Sequence, residues 1–380
     1  MNKYNVIVLG SSGSGKTVFL SSMFHELSTQ GGRGFYIKPG DKDEQLLLTN
    51  AYEELILGDA WPDGTKLDEF KEWKFTCFVQ KKDLNIFPAC QFIFIDYAGG
   101  RLTDNGLDSD RFLQDYIVKA DTLLCLIDGK KLFEAMEGDN RSWNRLTLKD
   151  LEPIIQAIQE TGKKPVHFLI TKWDLFSDSY ELLDVRKKLL SYEPFKNVIE
   201  GRSESFPIRL IPISAVGDNF ANFQDGIMLK TGASPKPFQV EMPLACVVPD
   251  MMEGQLREIA EKRKREEQRS VTVEANLNWW DRTLKSVGGS LKYLTFINAF
   301  LPENYQFSES LWNSLGETIA SDANQKLQNA EERSAELKRK RDESITQINN
   351  ESSALESTIK SFIDIREILE YNFPHSDLRS

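Results

Sequence analysis

The chain is poor in the side chains that build metal clusters and disulfide frames: its 380 residues include four cysteines and three histidines. Cys77, Cys90, Cys125 and Cys246 are widely spaced, form no C-x-x-C pair, and sit in apolar stretches such as Phe75-Thr76-Cys77-Phe78-Val79. This placement predicts buried free thiols in a reducing compartment, not a disulfide frame or a zinc site. His25, His167 and His375 are equally scattered, so spacing assembles neither a metal cluster nor a hydrolase triad. Long apolar runs are missing too. The run from Val6 to Leu9 ends where the glycines begin, too short for a secretory signal. No window reaches the roughly 18 apolar residues of a spanning helix. A cytoplasmic protein without a transmembrane segment is expected. Positive charge is in deficit, with 47 Lys and Arg against 58 Asp and Glu and a net charge of −11. That balance argues against nucleic acid or an anionic membrane as a partner. The basic run Lys262-Arg263-Lys264-Arg265 is offset by Glu261, Glu266 and Glu267 and reads as a solvated helix face.

What is present suits a globular protein: 40% hydrophobic and 28% charged residues, enough for one α/β domain and a smaller unit. Residues 4–9 form an apolar run that stops at Gly10, as a buried strand does. A glycine-serine loop and a helix from about residue 18 to 27 follow. Residues 44–57 read as a second helix stopped by Gly58, and a turn-rich loop follows with Pro62 and Gly64. Residues 72–80 and 89–96 read as an antiparallel hairpin. Residues 123–127, 166–170 and 210–213 are further strands, the first two separated by a helix over 148–160. Apolar strands alternating with helices predict a mostly parallel sheet with helices on both faces. After Pro249 the composition changes to charged and helical. Residues 309–371 hold no proline and only one glycine, Gly316. Within them Ile345, Ile348, Leu355, Ile359, Phe362 and Leu369 trace a near-heptad seam, interrupted by Ser352 and Arg366. A long amphipathic helix follows, packed within its own chain or in a coiled coil between two chains. The expected division is 1–250 for the α/β domain and 251–380 for a C-terminal helical region.

The residues Gly10-Ser11-Ser12-Gly13-Ser14-Gly15-Lys16-Thr17 satisfy G-x-x-x-x-G-K-[ST] in full. Glycines let the backbone curl so that successive N–H groups face phosphate oxygens, and the next helix adds its positive end. Lys16 is then placed for the β and γ phosphates and the Thr17 hydroxyl for Mg²⁺. Thr171-Lys172-Trp173-Asp174 follows the strand over 166–170. A carboxylate such as Asp174 accepts from both N1–H and the 2-amino group of guanine, which adenine would leave unpaired. The Lys172 stem can lie along the base and tie this loop to the glycine-rich one. Asp96-Tyr97-Ala98-Gly99 supplies D-x-x-G at another strand end. Asp96 there suits Mg²⁺ through water, and the Gly99 N–H suits the γ-phosphate. Asp128 also ends an apolar strand and is assigned a structural role. Ser214-Ala215 completes the set, with a backbone N–H for the guanine O6.

In these motifs, and in their order, residues 4–250 resemble the TRAFAC-class, Ras-like P-loop GTPases. Within that span, Trp61-Pro62-Asp63-Gly64-Thr65 and Val240-Glu241-Met242-Pro243-Leu244 resemble the double-GTPase-type proteins of bacterial conflict systems. The resemblance implies a three-layer P-loop NTPase sandwich, with GTP or GDP and Mg²⁺ as ligands. It also implies a switch threonine that closes on the metal: Thr65 fits best, Thr49 is second, and Thr76 falls inside a strand. One departure stands out. The family's water-orienting glutamine after D-x-x-G is replaced by Gly100. Arg101 is the local candidate for stabilising charge. The expectation is a slow, Mg²⁺-dependent molecular switch whose helical region contacts a protein partner, with homodimerisation left open. The alternatives are a module that binds GTP or GDP without turnover and a self-assembling mechanical GTPase.

Overall fold

Strand β1 (Asn2–Gly10) divides its side chains between two cores: Tyr4, Val6 and Val8 enter one, Ile7 and Leu9 the other. Alternating side chains buried on both faces make a continuous apolar run, as befits a central parallel strand. The structure, a computed structural model, describes residues 1–58, 60–62, 70–97, 111–176, 179–202, 206–224, 227–270, 307–320 and 330–379. Strands β2 (Tyr36–Pro39), β3 (Phe70–Gln80), β4 (Ile86–Tyr97), β5 (Thr122–Ile127), β6 (Val166–Ile170) and β7 (Ile208–Pro212) join β1 in one seven-stranded sheet, ordered β2-β3-β4-β1-β5-β6-β7. From β4 to β7 the pairing is parallel, while β2, β3 and β4 are joined antiparallel. A separate hairpin pairs β8 (Ala221–Gln224) with β9 (Ile227–Lys230). The expected mostly parallel α/β architecture is therefore present.

The helices are α1 (Lys16–Leu27), α2 (Lys42–Leu57), α3 (Arg111–Lys119), α4 (Gly129–Met136), α5 (Asn140–Arg145), α6 (Glu152–Glu160), α7 (Leu182–Leu190) and α8 (Glu193–Arg202), then α9 (Met242–Ser270), α10 (Glu309–Ala320), α11 (Ala330–Thr346) and α12 (Glu351–Asn372). Residues from α1, α9, α10 and α12 share the core that holds Val6 and Val8; residues from α3, α6, α7 and α8 share the one that holds Ile7 and Leu9. Among the described residues, no helix is long and apolar enough to cross a membrane.

Two features depart from the sequence pattern. Pro249, where the composition changes, lies inside α9 rather than at its start. Its ring removes one backbone bond, yet the helix continues because Leu244, Val247, Val248, Met251 and Met252 are all buried around it. The boundary expected at 250/251 thus falls within a helix. Second, the stretch 309–371 contains three described helices; α11 and α12 are separated at Asn350, whose side chain caps α12 by accepting from Ser353 N–H. The seam residues Ile359, Phe362 and Leu369 turn into the sheet's core. Phe362 meets Phe35 edge-on at 4.9 Å and Phe92 at 5.9 Å.

Arg366, which interrupts the seam, is 3% exposed and belongs to a buried charge cluster. Its guanidinium lies 3.1 Å from Asp250, 2.5 Å from Glu253 and 3.0 Å from Glu370. Arg209 on β7 donates to Asp250 at 2.5 and 2.8 Å and to Glu370 at 3.0 Å. Arg379 reaches Glu253 at 2.8 Å, and the His167 ring Nε2 stands 2.8 Å from Asp250. Burial alone would raise the Asp250 carboxyl, but Arg209 and Arg366 hold it far below the ordinary carboxylate range. Glu253 is held down in the same way by Arg366, Arg379 and Arg257. Burial lowers the His167 ring, outweighing Asp250, so it stays neutral and donates.

Removing one member of such a cluster leaves a buried charge exposed to an apolar medium. Asp250→Ala should lower the unfolding free energy in urea by about 3–5 kcal/mol. Because the folded carboxyls sit below their unfolded value near 4, their contribution is complete above that value and drains away as pH falls through the folded one. Asp250→Asn should therefore flatten the stability profile below about pH 4; an acid limb as steep as wild type would contradict the assignment.

Candidate functional site

The loop after β1 is shaped by glycine. Gly13 and Gly15 have φ of +80° and +93°, and Gly15 precedes the first turn of α1. No atom lies within 4 Å of a Cβ built at either position, so backbone conformation, not crowding, demands the glycines there. Gly10 differs: a Cβ would sit 2.7 Å from the Ser14 hydroxyl and 3.1 Å from Leu126 on β5. Lys16 is 6% exposed and donates to the carbonyls of Gly10 at 2.7 Å and Ser11 at 3.1 Å. Burial pushes its ammonium down to about 8, opposed by the carboxylates of Asp96 and Asp150. Asp96, 2% exposed, pairs in register with Val8 at the end of β4.

Sequence reasoning did not single out Asp150. It lies in a π-helical segment (Leu146–Leu151), 2% exposed, with Lys131 of α4 at 2.6 Å. Asp128 caps α4 by accepting from Lys130 N–H at 3.1 Å, and it accepts from Lys172 at 2.6 Å. Its expected structural role fits this geometry.

The loop after β6 is locked to the end of β5. Thr171 donates its hydroxyl to the Ile127 carbonyl at 3.1 Å and accepts from Gly129 N–H at 3.3 Å. Lys172 takes a left-handed conformation, φ 55°, and its ammonium donates to the Gly13 carbonyl at 3.2 Å. That bond ties this loop to the glycine-rich one. Asp174, in the short 3-10 turn Trp173–Leu175, accepts from the Ser214 hydroxyl at 2.5 Å. Burial raises the Asp174 carboxyl, and the Ser214 bond opposes that rise. Ser214 in turn accepts from Gly217 N–H at 2.8 Å, and its backbone exchanges bonds of 3.0 and 2.7 Å with Phe238.

These loops surround one cavity of about 340 Å³. Ser12, Gly13, Gly15, Lys16 and Thr17 line one part, and Thr171, Lys172, Asp174, Ser214 and Ala215 line another. Gly10, Ser11 and Ser14 are buried beneath the loop and support it. Of the remaining candidates, Thr65, Gly99 and Arg101, together with Gly100, lie outside the described residues. Thr49 is half-buried on α2 and donates to the Gln45 carbonyl at 2.9 Å. Thr76 lies within β3, as expected, and accepts from Gln91 at 3.1 Å.

The apolar wall of the cavity, formed by Trp61, Pro62, Val216 and Met228, is the part that sequence reasoning missed. A signal existed: Asp225-Gly226 between Phe223-Gln224 and Ile227-Met228 is a hairpin pattern. Chemically, the cavity offers main-chain amides and a buried ammonium at one end and a carboxylate at the other. Apolar side chains complete its lining. Thr17 lines the cavity, whereas Asp96, buried at the end of β4, does not; both are hard oxygen donors of the kind a divalent cation takes. No protein-family model matches the chain, and no curated protein matches it either.

Two glycines hold the loops after β5 and β7 so closely to their neighbours that a methyl group must displace them. A Cβ at Gly129 would lie 1.7 Å from the Thr171 carbonyl oxygen, and one at Gly217, φ +70°, would lie 1.8 Å from that of Lys236. Gly129→Ala and Gly217→Ala should each cost about 1–3 kcal/mol in thermal unfolding. Gly13→Ala, in open space, should cost less than either; equal losses at all three positions would refute the packing argument.

Proposed function

We propose that the chain is a P-loop NTPase of the Ras-like type that binds GTP or GDP with Mg²⁺ and hydrolyses GTP slowly. The observation that carries this reading is the meeting of Asp174, Lys172 and the Gly13–Thr17 loop around one cavity, with Lys172 bonded directly to Gly13. Main-chain amides and Lys16 bind the polyphosphate, and Asp174 receives the guanine N1–H and 2-amino donors. Thr17 and Asp96 would hold Mg²⁺, and that ion would supply neutralising charge for phosphoryl transfer. Thr65, Gly99 and Arg101 complete the phosphate end of this proposal.

Titration calorimetry with GTP, GDP and ATP tests base recognition. Guanine nucleotides should bind at least 100-fold more tightly than ATP, since adenine leaves the Asp174 carboxylate unpaired. Asp174→Asn should weaken guanosine nucleotides and favour xanthosine ones, whose carbonyl at position 2 accepts from the new amide. Equal affinity for ATP and GTP would end the guanine reading.

A second outcome concerns Lys16. Its ammonium is held near 8, and an adjoining polyphosphate raises it. Binding at pH 8 should therefore take up protons, seen as an enthalpy that varies with the buffer's ionisation heat; release of protons would contradict the placement.

Hydrolysis should be slow, because Gly100 brings no side chain to orient water. An arginine supplied by a partner would accelerate it by roughly 10³- to 10⁵-fold. Single-turnover GTP hydrolysis measured across protein concentrations checks this. A fast rate independent of concentration would exclude the slow-switch reading, and no GDP after prolonged incubation would favour a binding module without turnover.

A further inference from the structure

We propose that Asp150 sets the balance between triphosphate and diphosphate binding, its buried charge opposing negative charge at the phosphate end of the cavity; this rests on the guanine-nucleotide reading above. Its placement inverts the polarity of its own segment. Along the π-helical stretch Leu146–Leu151, Leu148 is 64% exposed while Asp150 is 2% exposed. A π turn carries an extra residue, which rotates the side chains that follow by about 100° relative to an α-helix. Burying a carboxylate is costly unless it is paired, and Lys131 of α4 meets this one at 2.6 Å. The lysine side chain is itself 27% exposed. Water therefore screens the cation of this pair more than the anion.

Strand register brings Asp150 to the phosphate end. Gly10, which opens the glycine-rich loop, pairs with Leu126 of β5. That strand ends at Ile127, and α4 starts at Gly129 with Lys131 in its first turn. The residue that holds Asp150 thus belongs to the first turn after the strand beside the loop. Burial raises the Asp150 carboxyl, and Lys131 and the Ser11 hydroxyl of the loop both oppose that rise. Ser11 also accepts from Lys16 through its carbonyl at 3.1 Å, and the Asp150 charge acts on the Lys16 ammonium together with that of Asp96. Asp128 is engaged by Lys172 at 2.6 Å, and Asp96 is assigned to the metal. Asp150 is neither, and it does not line the cavity. It acts on a ligand through its field, which a buried setting screens far less than water does. A triphosphate brings more negative charge than a diphosphate, so the opposition is greater for GTP.

The test is titration calorimetry with Mg²⁺ and either GDP or a non-hydrolysable GTP analogue. Asp150→Asn keeps the shape and removes the charge; it should tighten the GTP analogue roughly 3- to 30-fold and GDP by less. A merely structural role predicts the reverse sign, since a loosened loop binds both ligands more weakly. Asp150→Glu, which restores the charge, should bring the GTP-to-GDP affinity ratio back toward that of wild type. Lys131→Met removes the compensating cation and should lower that ratio. If wild type binds no guanine nucleotide, the functional reading itself fails. If wild type binds, and Asp150→Asn lowers the ratio or leaves it within about twofold of wild type, the role of Asp150 is overturned while guanine recognition stands. Should Asp150→Asn not fold, Lys131→Met decides alone: an unchanged or raised ratio overturns the proposal.

Discussion

The site depends on the parallel pairing of β1 with both its neighbours. Val8 lies opposite Asp96 of β4 on one side and Leu124 of β5 on the other. Ile127 aligns with Ile170, and Ile170 with Pro212. With strand ends in register, Gly10, Asp96, Asp128, Thr171 and Ser214 all emerge at one edge of the sheet, where open α/β folds bind ligands. The loops then bond across that edge: Ile213 N–H to the Ile170 carbonyl at 2.9 Å, and Trp173 N–H to that of Ile213 at 3.0 Å. A slip of one residue along any strand would shift its loop by about 3.3 Å. That exceeds the tolerance of every hydrogen bond in the site. The chemistry is thus a consequence of register.

Register alone leaves one face of the sheet bare, and the C-terminal helices cover it. Phe362 reaches Phe92 on β4, so α12 belongs to the same core as β1. Hydrophobic burial is non-directional and would tolerate several placements of such a helix. The cluster around Asp250 and Arg366 narrows them, since each buried charge must find its partner or incur a large desolvation cost. The end of α12 then reaches the loop after β6: Phe373 packs edge-on against Trp173 at 6.2 Å and against Phe238 at 6.2 Å. Trp173 adjoins Asp174, and Phe238 pairs with Ser214. Phe373 thus links the end of α12 to the neighbours of Asp174 and Ser214.

What could be read in the amino-acid pattern follows from how local the physics is. The glycine-rich loop and strands 4–9, 123–127 and 166–170 were legible because fully buried strands are apolar without interruption and glycine marks a left-handed backbone. Short edge strand β2, with only four residues, offers no such run. Pro249 misled as a boundary because a proline within a helix is tolerated when tertiary packing outweighs the lost bond. Arg366 looked like a flaw in the seam, since a sequence does not reveal that Asp250 and Glu253 face it from more than a hundred residues away. The same non-locality hid the wall of the cavity. Nothing near Trp61 announces Met228, which lies 167 positions away.

Under the proposed reading, the two ends of the cavity would recognise a nucleotide by different physics, and this explains their different legibility. At the glycine-rich loop the donors are main-chain amides, so specificity for an anion lies in backbone shape and survives changes in neighbouring side chains. At the other end, in that proposal, a single carboxylate would do the reading, and it would discriminate only because it is buried. In water, a guanine or an adenine edge would cost Asp174 little, since solvent replaces any missing donor. Enclosed, the carboxylate forfeits about 1–3 kcal/mol or more for each donor it fails to regain. The raised Asp174 carboxyl already registers that enclosure. Ser214 supplies one donor from within the protein, leaving the remaining acceptor capacity to the ligand. If the chain binds a guanine nucleotide as proposed, base discrimination would be a property of the cavity's enclosure as much as of Asp174.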